Sequence, residues 1–297
     1  MPSLDTKIEL YYWPSIQGRG EFIRLLLEEA GADYVDVART EGGMQSMMAI
    51  LGGKEKGALP YAAPFVRVGD TIVSQSANIM AYLAPKLGLI PADEALRTEA
   101  HQIQLTIADL VAEAHDVHHP IAVSLYYEDQ KKEAKRRAGP FIKERIPKFL
   151  GWLEEILERN EKSGGQWLVG SDFSYVDLSA FQLIEGLRYA FPRAMSAFEP
   201  KIPRLVALRD RVAERPRIAA YLESERRLPF NRQGIFRLYP ELDAPGPRRA
   251  SRPKRAAVAK RKASGKLSSR KKSVAPAKSA KSAKSSARAA RARKAKS

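Results

Sequence analysis

The chain has 297 residues, room for roughly two domains at ~150 residues each, and its 51 Lys and Arg against 34 Asp and Glu give a formal net charge of +17. That excess is local: 20 basic and no acidic residues fall in 246–297, so residues 1–245 hold 31 basic and 34 acidic side chains, a net charge of −3. Cysteine is absent, which excludes a disulfide framework, a thiolate metal site and a thiol nucleophile.

Residues 7–12 alternate, with Ile8, Leu10 and Tyr12 on one face, and read as a strand that Trp13-Pro14 ends. Residues 18–30 read as a helix carrying Phe22, Ile23, Leu26 and Leu27 at helical spacing, stopped by Gly31. A second strand follows at 34–37. Residues 40–57, with five glycines and no clean period, predict a mobile segment with a short helix. Residues 64–73 form a hairpin turning at Gly69-Asp70, and a helix over 76–83 follows, capped by Ser74 or Ser76. The order β-α-β then β-β-α fits a small mixed sheet with helices on its faces.

Residues 87–95 read as a linker and 96–243 as helical throughout, with long helices at 97–119, 133–160, 175–191 and 203–214. Ser174 and Asp177 form a capping box at the start of the third of these. No apolar run reaches the ~20 residues that span a bilayer. The first ten residues lack the basic-then-apolar order of a secretion signal, so a cytoplasmic protein is expected.

Tyr12-Trp13-Pro14, Gly18-Arg19 and the run 22–27 resemble the opening of the tyrosine-type cytosolic glutathione transferases of the mu, pi and sigma classes. Residues 59–64 (LPYAAP) resemble the segment leading to their cis-proline, and Gln75-Ser76 with Tyr82-Leu83 resembles their glutathione-binding motif. Residues 168–172 with the Ser174/Asp177 box are similar to the signature of their C-terminal domain. The resemblance implies an α/β thioredoxin-like domain over 1–86, an all-α domain over 96–243 that holds an electrophile pocket, and a homodimer. It also implies attack by the glutathione thiolate on a small hydrophobic electrophile, with peroxidase or isomerase activity open to the same thiolate.

The physics accounts for the residue types. A thiol of pKa ~8.5 is only a few per cent ionised at neutral pH, and a hydroxyl donating to the sulfur favours the charged form. By resemblance that hydroxyl belongs to Tyr12; Tyr11 points to the opposite strand face. Five residues separate Tyr12 from Gly18, one more than is common in the family, and the longer turn includes Ser15. The serine-type classes use a hydroxyl there, so Ser15 is the alternative. Ser76 at a helix N-terminus, with Gln75, suits the γ-glutamyl carboxylate. Ala63, before the candidate cis-proline Pro64, offers backbone groups to the cysteinyl residue as an added strand would. Arg19 matches a pi-class arginine near the sulfur and glycyl side, and Lys54 or Lys56 could hold the glycyl carboxylate. Glu113, with Asp109 as the alternative, matches an acidic residue that reaches the neighbouring subunit's glutathione. Tyr126 and Tyr127 fall where the family places aromatics around the electrophile.

His115, His118 and His119 lie close in sequence, but Pro120 follows at once and no third ligand pattern is present, so no metal is expected. Residues 244–297 lack the apolar content to fold alone and read as a disordered tail. Their Ala-Lys-Ser repeats resemble linker-histone tails and point to non-specific nucleic-acid binding. With half of the 20 charges engaged, the log–log salt slope would be about −9.

Overall fold

A computed structural model describes residues 6–245. The basic stretch from 246 onward, with the disorder and nucleic-acid contacts expected of it, lies outside the described residues. The first half contains β1 (Ile8–Tyr11), α1 (Gly20–Ala30), β2 (Tyr34–Asp36), α2 (Gly43–Leu51), β3 (Phe65–Val68), β4 (Thr71–Ser74) and α3 (Ser76–Leu83). The strands form one sheet in the order β2-β1-β3-β4. β1 is parallel to β2 and antiparallel to β3, and β3 is antiparallel to β4. This is the expected thioredoxin-like arrangement. Tyr11 lies opposite Phe65, and Phe65 opposite Ser74. The residues just beyond, Tyr12, Pro64 and Gln75, therefore leave the sheet at one end.

Phe22, Ile23, Leu26 and Leu27 of α1 are all buried, and Gly31 takes the left-handed conformation (φ 63°) that closes the helix. The segment 40–57 is more regular than its glycines predict. Met47 and Ile50 drive α2 against Tyr11 and Phe65, whose rings stack at 4.6 Å in a small separate core. Neither Ser74 nor Ser76 caps α3: the N-cap position belongs to Gln75, and no side chain bonds the first-turn amides.

The second half holds α4 (Glu94–His118), α5 (Lys131–Pro140), α6 (Ile146–Arg159), α7 (Tyr175–Ala190), α8 (Pro192–Phe198), α9 (Pro203–Ala213) and α10 (Pro216–Leu222). The single helix expected over 133–160 is interrupted by a wider π-type turn at Phe141–Arg145. Pro140 and Pro147 flank it, and a proline without an N–H cannot continue the regular bonding pattern. The short α8 and α10, which the sequence reading missed, each start on a proline in the first turn. α7 is buried on nearly every face and packs against α1, α4, α8 and α9. At its start Asp177 accepts from the Ser174 and Leu168 amides at 2.8 and 2.9 Å, so the box also anchors the preceding loop. Burial raises the Asp177 carboxyl to about 6 against those bonds.

A buried polar network joins the two halves. Glu21 of α1 is fully enclosed and accepts from the Tyr221 hydroxyl at 2.8 Å, from Arg227 at 2.7 Å and from Arg24 at 3.3 Å. Arg24 also donates to Asp36 at 2.8 Å and to the Ile16 carbonyl at 3.2 Å. Burial pulls Arg24 toward deprotonation, yet Asp36 and Glu21 outweigh it and hold the guanidinium charged. Gln182 of α7 donates to Gln17 at 2.8 Å and accepts from Arg227 at 3.2 Å. The turn between β1 and α1 is thus pinned from beneath by both halves.

After α10 the chain has no further helix or strand through residue 245. It runs back as a strap over the second half. Asn231 donates to the Ser15 carbonyl at 2.8 Å, Phe230 stacks on Tyr189, Phe236 lies against Gly186, and Tyr239 stacks on Tyr127 at 3.8 Å.

Candidate active site

Tyr12 lies just past the end of β1 and is 4% exposed. Its ring fills the space under the Gly18-Arg19-Gly20 turn: a Cβ on Gly18 would fall on the hydroxyl, and a Cβ on Gly20 on the ring. Gly18 also has φ 47°, a conformation that favours glycine. These glycines are therefore a packing requirement of the tyrosine. The hydroxyl accepts the Arg19 N–H at 2.9 Å. Its own proton has no acceptor among the described residues. Burial raises the phenol above its ordinary 10.0 despite the Arg19 amide and the charges of Arg19 and Arg24. At neutral pH Tyr12 is therefore a phenol with one hydrogen bond to give. Tyr11, on the other face, donates instead to Glu9 at 2.9 Å.

Ser15 is exposed at the tip of the lengthened turn, where its carbonyl receives Asn231. Arg19 is half-buried, and its guanidinium forms no ion pair among the described residues. Its charge helps keep His115 neutral, secondary to burial.

The same sheet end carries the other candidates. The Ala63–Pro64 peptide is cis. Ala63 is half-buried and outside the ladder, which starts at Phe65. Gln75 is exposed and is the only residue other than glycine with positive φ (69°) among those described. Such a backbone costs about 1 kcal/mol and recurs at ligand sites. Its carbonyl receives the Ile79 N–H at 2.8 Å, and the first turn of α3, beginning with half-buried Ser76, has no side-chain cap. Lys54 and Lys56 lie in an exposed irregular stretch.

Candidates on α4 separate. Glu113 is taken up by Arg145, with contacts of 2.6, 2.8 and 3.1 Å. Asp109 is exposed and makes no ion pair among the described residues. Tyr126 is 78% exposed beside a cleft, whereas Tyr127 is buried against Tyr239 and donates to Glu241 at 3.0 Å.

His115, His118 and His119 do cluster, with ring centres 4.8 to 5.2 Å apart. Among the described residues, however, no group of three or more such side chains is arranged to hold a metal ion. Burial lowers all three, His118 to about 3, and nearby Arg237 adds to the effect. His118 sends its Nε2–H to the Ile235 carbonyl at 2.7 Å.

The sequence reading missed the strap. Nothing in residues 228–240 marks their contacts with Ser15 and His118, because those partners lie more than a hundred positions away in the chain. Among the described residues no helix is long and apolar enough to cross a membrane.

Residues 115–225 match the family model described as "Glutathione S-transferase, C-terminal domain". A glutathione S-transferase of Plasmodium falciparum is 25% identical over 226 residues, covering 75% of this chain and 98% of that protein. Glutathione S-transferase P 1 of Xenopus laevis is 27% identical over 218 residues, covering 73% and 92%. The solved pi-class glutathione S-transferase of Onchocerca volvulus superposes with a TM-score of 0.59 at 23% identity, covering 76% of this chain and 98% of that one. The family domain in the helical half, relatives matched along nearly their whole length and the shared fold all point the same way: the chain is similar to the glutathione S-transferases.

Proposed function

We propose that the protein is a tyrosine-type glutathione transferase in which the Tyr12 hydroxyl stabilises the thiolate of glutathione. One observation carries this reading: a buried phenol, fixed by Gly18 and Gly20 and already accepting the Arg19 N–H, keeps its proton free at the sheet end where Pro64 and Gln75 also emerge. Glutathione binds across that end. Its γ-glutamyl carboxylate meets the first turn of α3 at Gln75 and Ser76, and its cysteinyl backbone pairs with Ala63. Arg19 lies on the sulfur and glycyl side, with Lys54 or Lys56 beyond. The thiol gives its proton to water, the thiolate accepts the Tyr12 O–H, and sulfur bonds to the electrophilic carbon as the leaving group, chloride in a chloronitrobenzene, departs with the electrons of its bond. In a homodimer Asp109, or Glu113 if Arg145 releases it, reaches the partner's glutathione. The setting is cytoplasmic and no metal takes part.

The test is conjugation of glutathione to a chloronitrobenzene. A hydrogen bond to a charged group contributes about 1.5–3 kcal/mol, so Tyr12→Phe should lose roughly 10–100-fold in kcat/KM while Ser15→Ala stays close to wild type. Loss in Ser15→Ala alone moves the protein to the serine type. An inactive wild type that binds glutathione makes it a carrier.

A second reading rests on composition. The 20 basic and no acidic residues of 246–297 tether the enzyme to nucleic acid through phosphates, independently of sequence. Deleting 246–297 should abolish retention on a DNA column and spare conjugation; unchanged retention ends that reading.

A further inference from the structure

A cleft of about 640 Å³ opens between the loop after α4 and the strap, a size that suits a small molecule. His119, Tyr126, Arg232 and Arg237 are among its lining residues. Arg237 is half-buried, and its guanidinium is held by two backbone carbonyls, Gly234 at 2.7 Å and Gln233 at 3.2 Å. Arg232 lies 5.6 Å from the centre of the Tyr239 ring. Neither arginine makes an ion pair among the described residues, although most arginines of the folded body do. The one acid on the rim, Glu128, is exposed and pairs with neither.

The neighbouring loop is fixed by one enclosed side chain. Gln130 accepts the Ile121 and Ala122 amides through Oε1, at 2.9 and 3.4 Å. Its Nε2 must then be the donor, and its two hydrogens go to the Ala122 and Leu125 carbonyls at 3.1 Å, with His119 Nδ1 also 3.1 Å away. The His119 ring is held beside this loop and lines the cleft. Val123 and Tyr126, which also line it, are 71% and 78% exposed, so the rim is apolar.

We propose that this cleft binds the carboxylate of an electrophile whose body is apolar, with Arg237 as the principal partner and Arg232 and His119 completing the recognition. A planar guanidinium whose position the backbone already sets is suited to a paired carboxylate. The apolar rim takes the rest of the molecule. This assignment deepens the transferase reading and rests on it for the identity of the ligand as an electrophile. The preferred substrate is therefore an amphipathic acid, not the purely hydrophobic electrophile that the family resemblance implies.

The test pairs para-chloro-meta-nitrobenzoate with its methyl ester. In the reaction the sulfur–carbon bond forms, chloride leaves with the electrons of its bond, and the thiol proton passes to water. Calorimetric binding of each compound to the full chain, without glutathione, is measured in wild type, Arg237→Gln and Arg232→Gln. The acid should bind wild type about tenfold more tightly than the ester, a charge-assisted bond's worth, and the advantage should shrink with added salt. The acid-to-ester ratio should fall to near one in Arg237→Gln and partway in Arg232→Gln, whose side chain makes no hydrogen bond to the described residues, so a folding defect is not expected there. Equal or tighter binding of the ester to wild type overturns the proposal, as does a ratio that both substitutions leave intact. If the acid binds as expected but neither compound is conjugated, the transferase reading fails and the carboxylate site stands.

Discussion

The proposed thiol side of the site is assembled from backbone that three adjacent strands bring to one sheet end, and the cleft proposed for the electrophile from side chains of segments far apart in the chain. On the first side Tyr12, Pro64 and Gln75 follow directly from the register of Tyr11, Phe65 and Ser74. On the second, His118 meets Ile235, 117 positions away, and Arg237 is set by the strap's own carbonyls. The difference has a chemical sense. Glutathione presents one backbone and one thiol, which fixed amides and one phenol can meet. An electrophile in the proposed cleft would instead be met by side chains that belong to no strand of the sheet.

The largest test of this comparison breaks the floor under both sides. Glu21→Ala would leave Arg24, Arg227 and the Tyr221 hydroxyl without their shared buried acceptor. Removing one partner of such a network costs about 3–5 kcal/mol, to be read as a lowered midpoint in urea unfolding. A loss under 1 kcal/mol would mean that the two halves are not coupled through α1.

A second substitution separates the thiol side from the rest. Gly20→Ala puts a methyl group into the Tyr12 ring. Overpacking of this kind costs about 1–3 kcal/mol, and conjugation should fall further than stability alone explains, because the hydroxyl is displaced. Full activity in this variant would show that the ring has room to move without consequence.

Residues 18–31 illustrate how much was legible. The apolar run after Gly20 and Gly31 were readable because they answer to local rules, helical spacing and a left-handed cap, and Gly18-Arg19 was readable by resemblance, whereas the fit of the Tyr12 ring against Gly18 and Gly20 was not. The hairpin at Gly69-Asp70 and the Ser174/Asp177 box are local in the same way. Gln75 was a binding candidate by resemblance, but its positive φ was not legible, since no pattern marks a glutamine for that conformation. Of the two acids of α4, one turn apart, the sequence preferred Glu113, and nothing local showed that Arg145 pairs with it. The burial of Glu21 and Arg24 has no local sign, because their partners Asp36, Tyr221 and Arg227 arrive only through tertiary folding. Gln130, which shapes the cleft, carries no sequence signal at all.

Acid sharpens the comparison on the electrophile side. His118 sits near 3 in the fold and at its ordinary 6.5 when unfolded, lowered mainly by burial. Between these values the unfolded chain binds the extra proton, so stability falls as pH drops below 6.5, by up to about 1.4 kcal/mol per pH unit until the folded value is reached. Urea midpoints at a series of pH values should show this slope in wild type and lose it in His118→Gln. An unchanged slope assigns the acid sensitivity to other groups.

The smallest effect is expected at Gln75→Gly. Relief of about 1 kcal/mol at the positive φ is offset by glycine's larger loss of freedom on folding, about 0.5–1 kcal/mol. Stability should stay within about 0.5 kcal/mol of wild type by these opposing estimates, while the KM for glutathione rises severalfold as the side-chain amide is lost. An unchanged KM would remove Gln75 from the glutathione site.

The most direct test of the central claim is the ionisation of glutathione in the complex, followed by thiolate absorbance as pH is varied. In wild type the bound thiol should titrate at least one unit below the ~8.5 of a free thiol. Tyr12→Phe should return it toward the free value, and Ser15→Ala should leave it where wild type has it. An identical titration in wild type and Tyr12→Phe would contradict the account, because the buried phenol would then be holding its ring in place and nothing more.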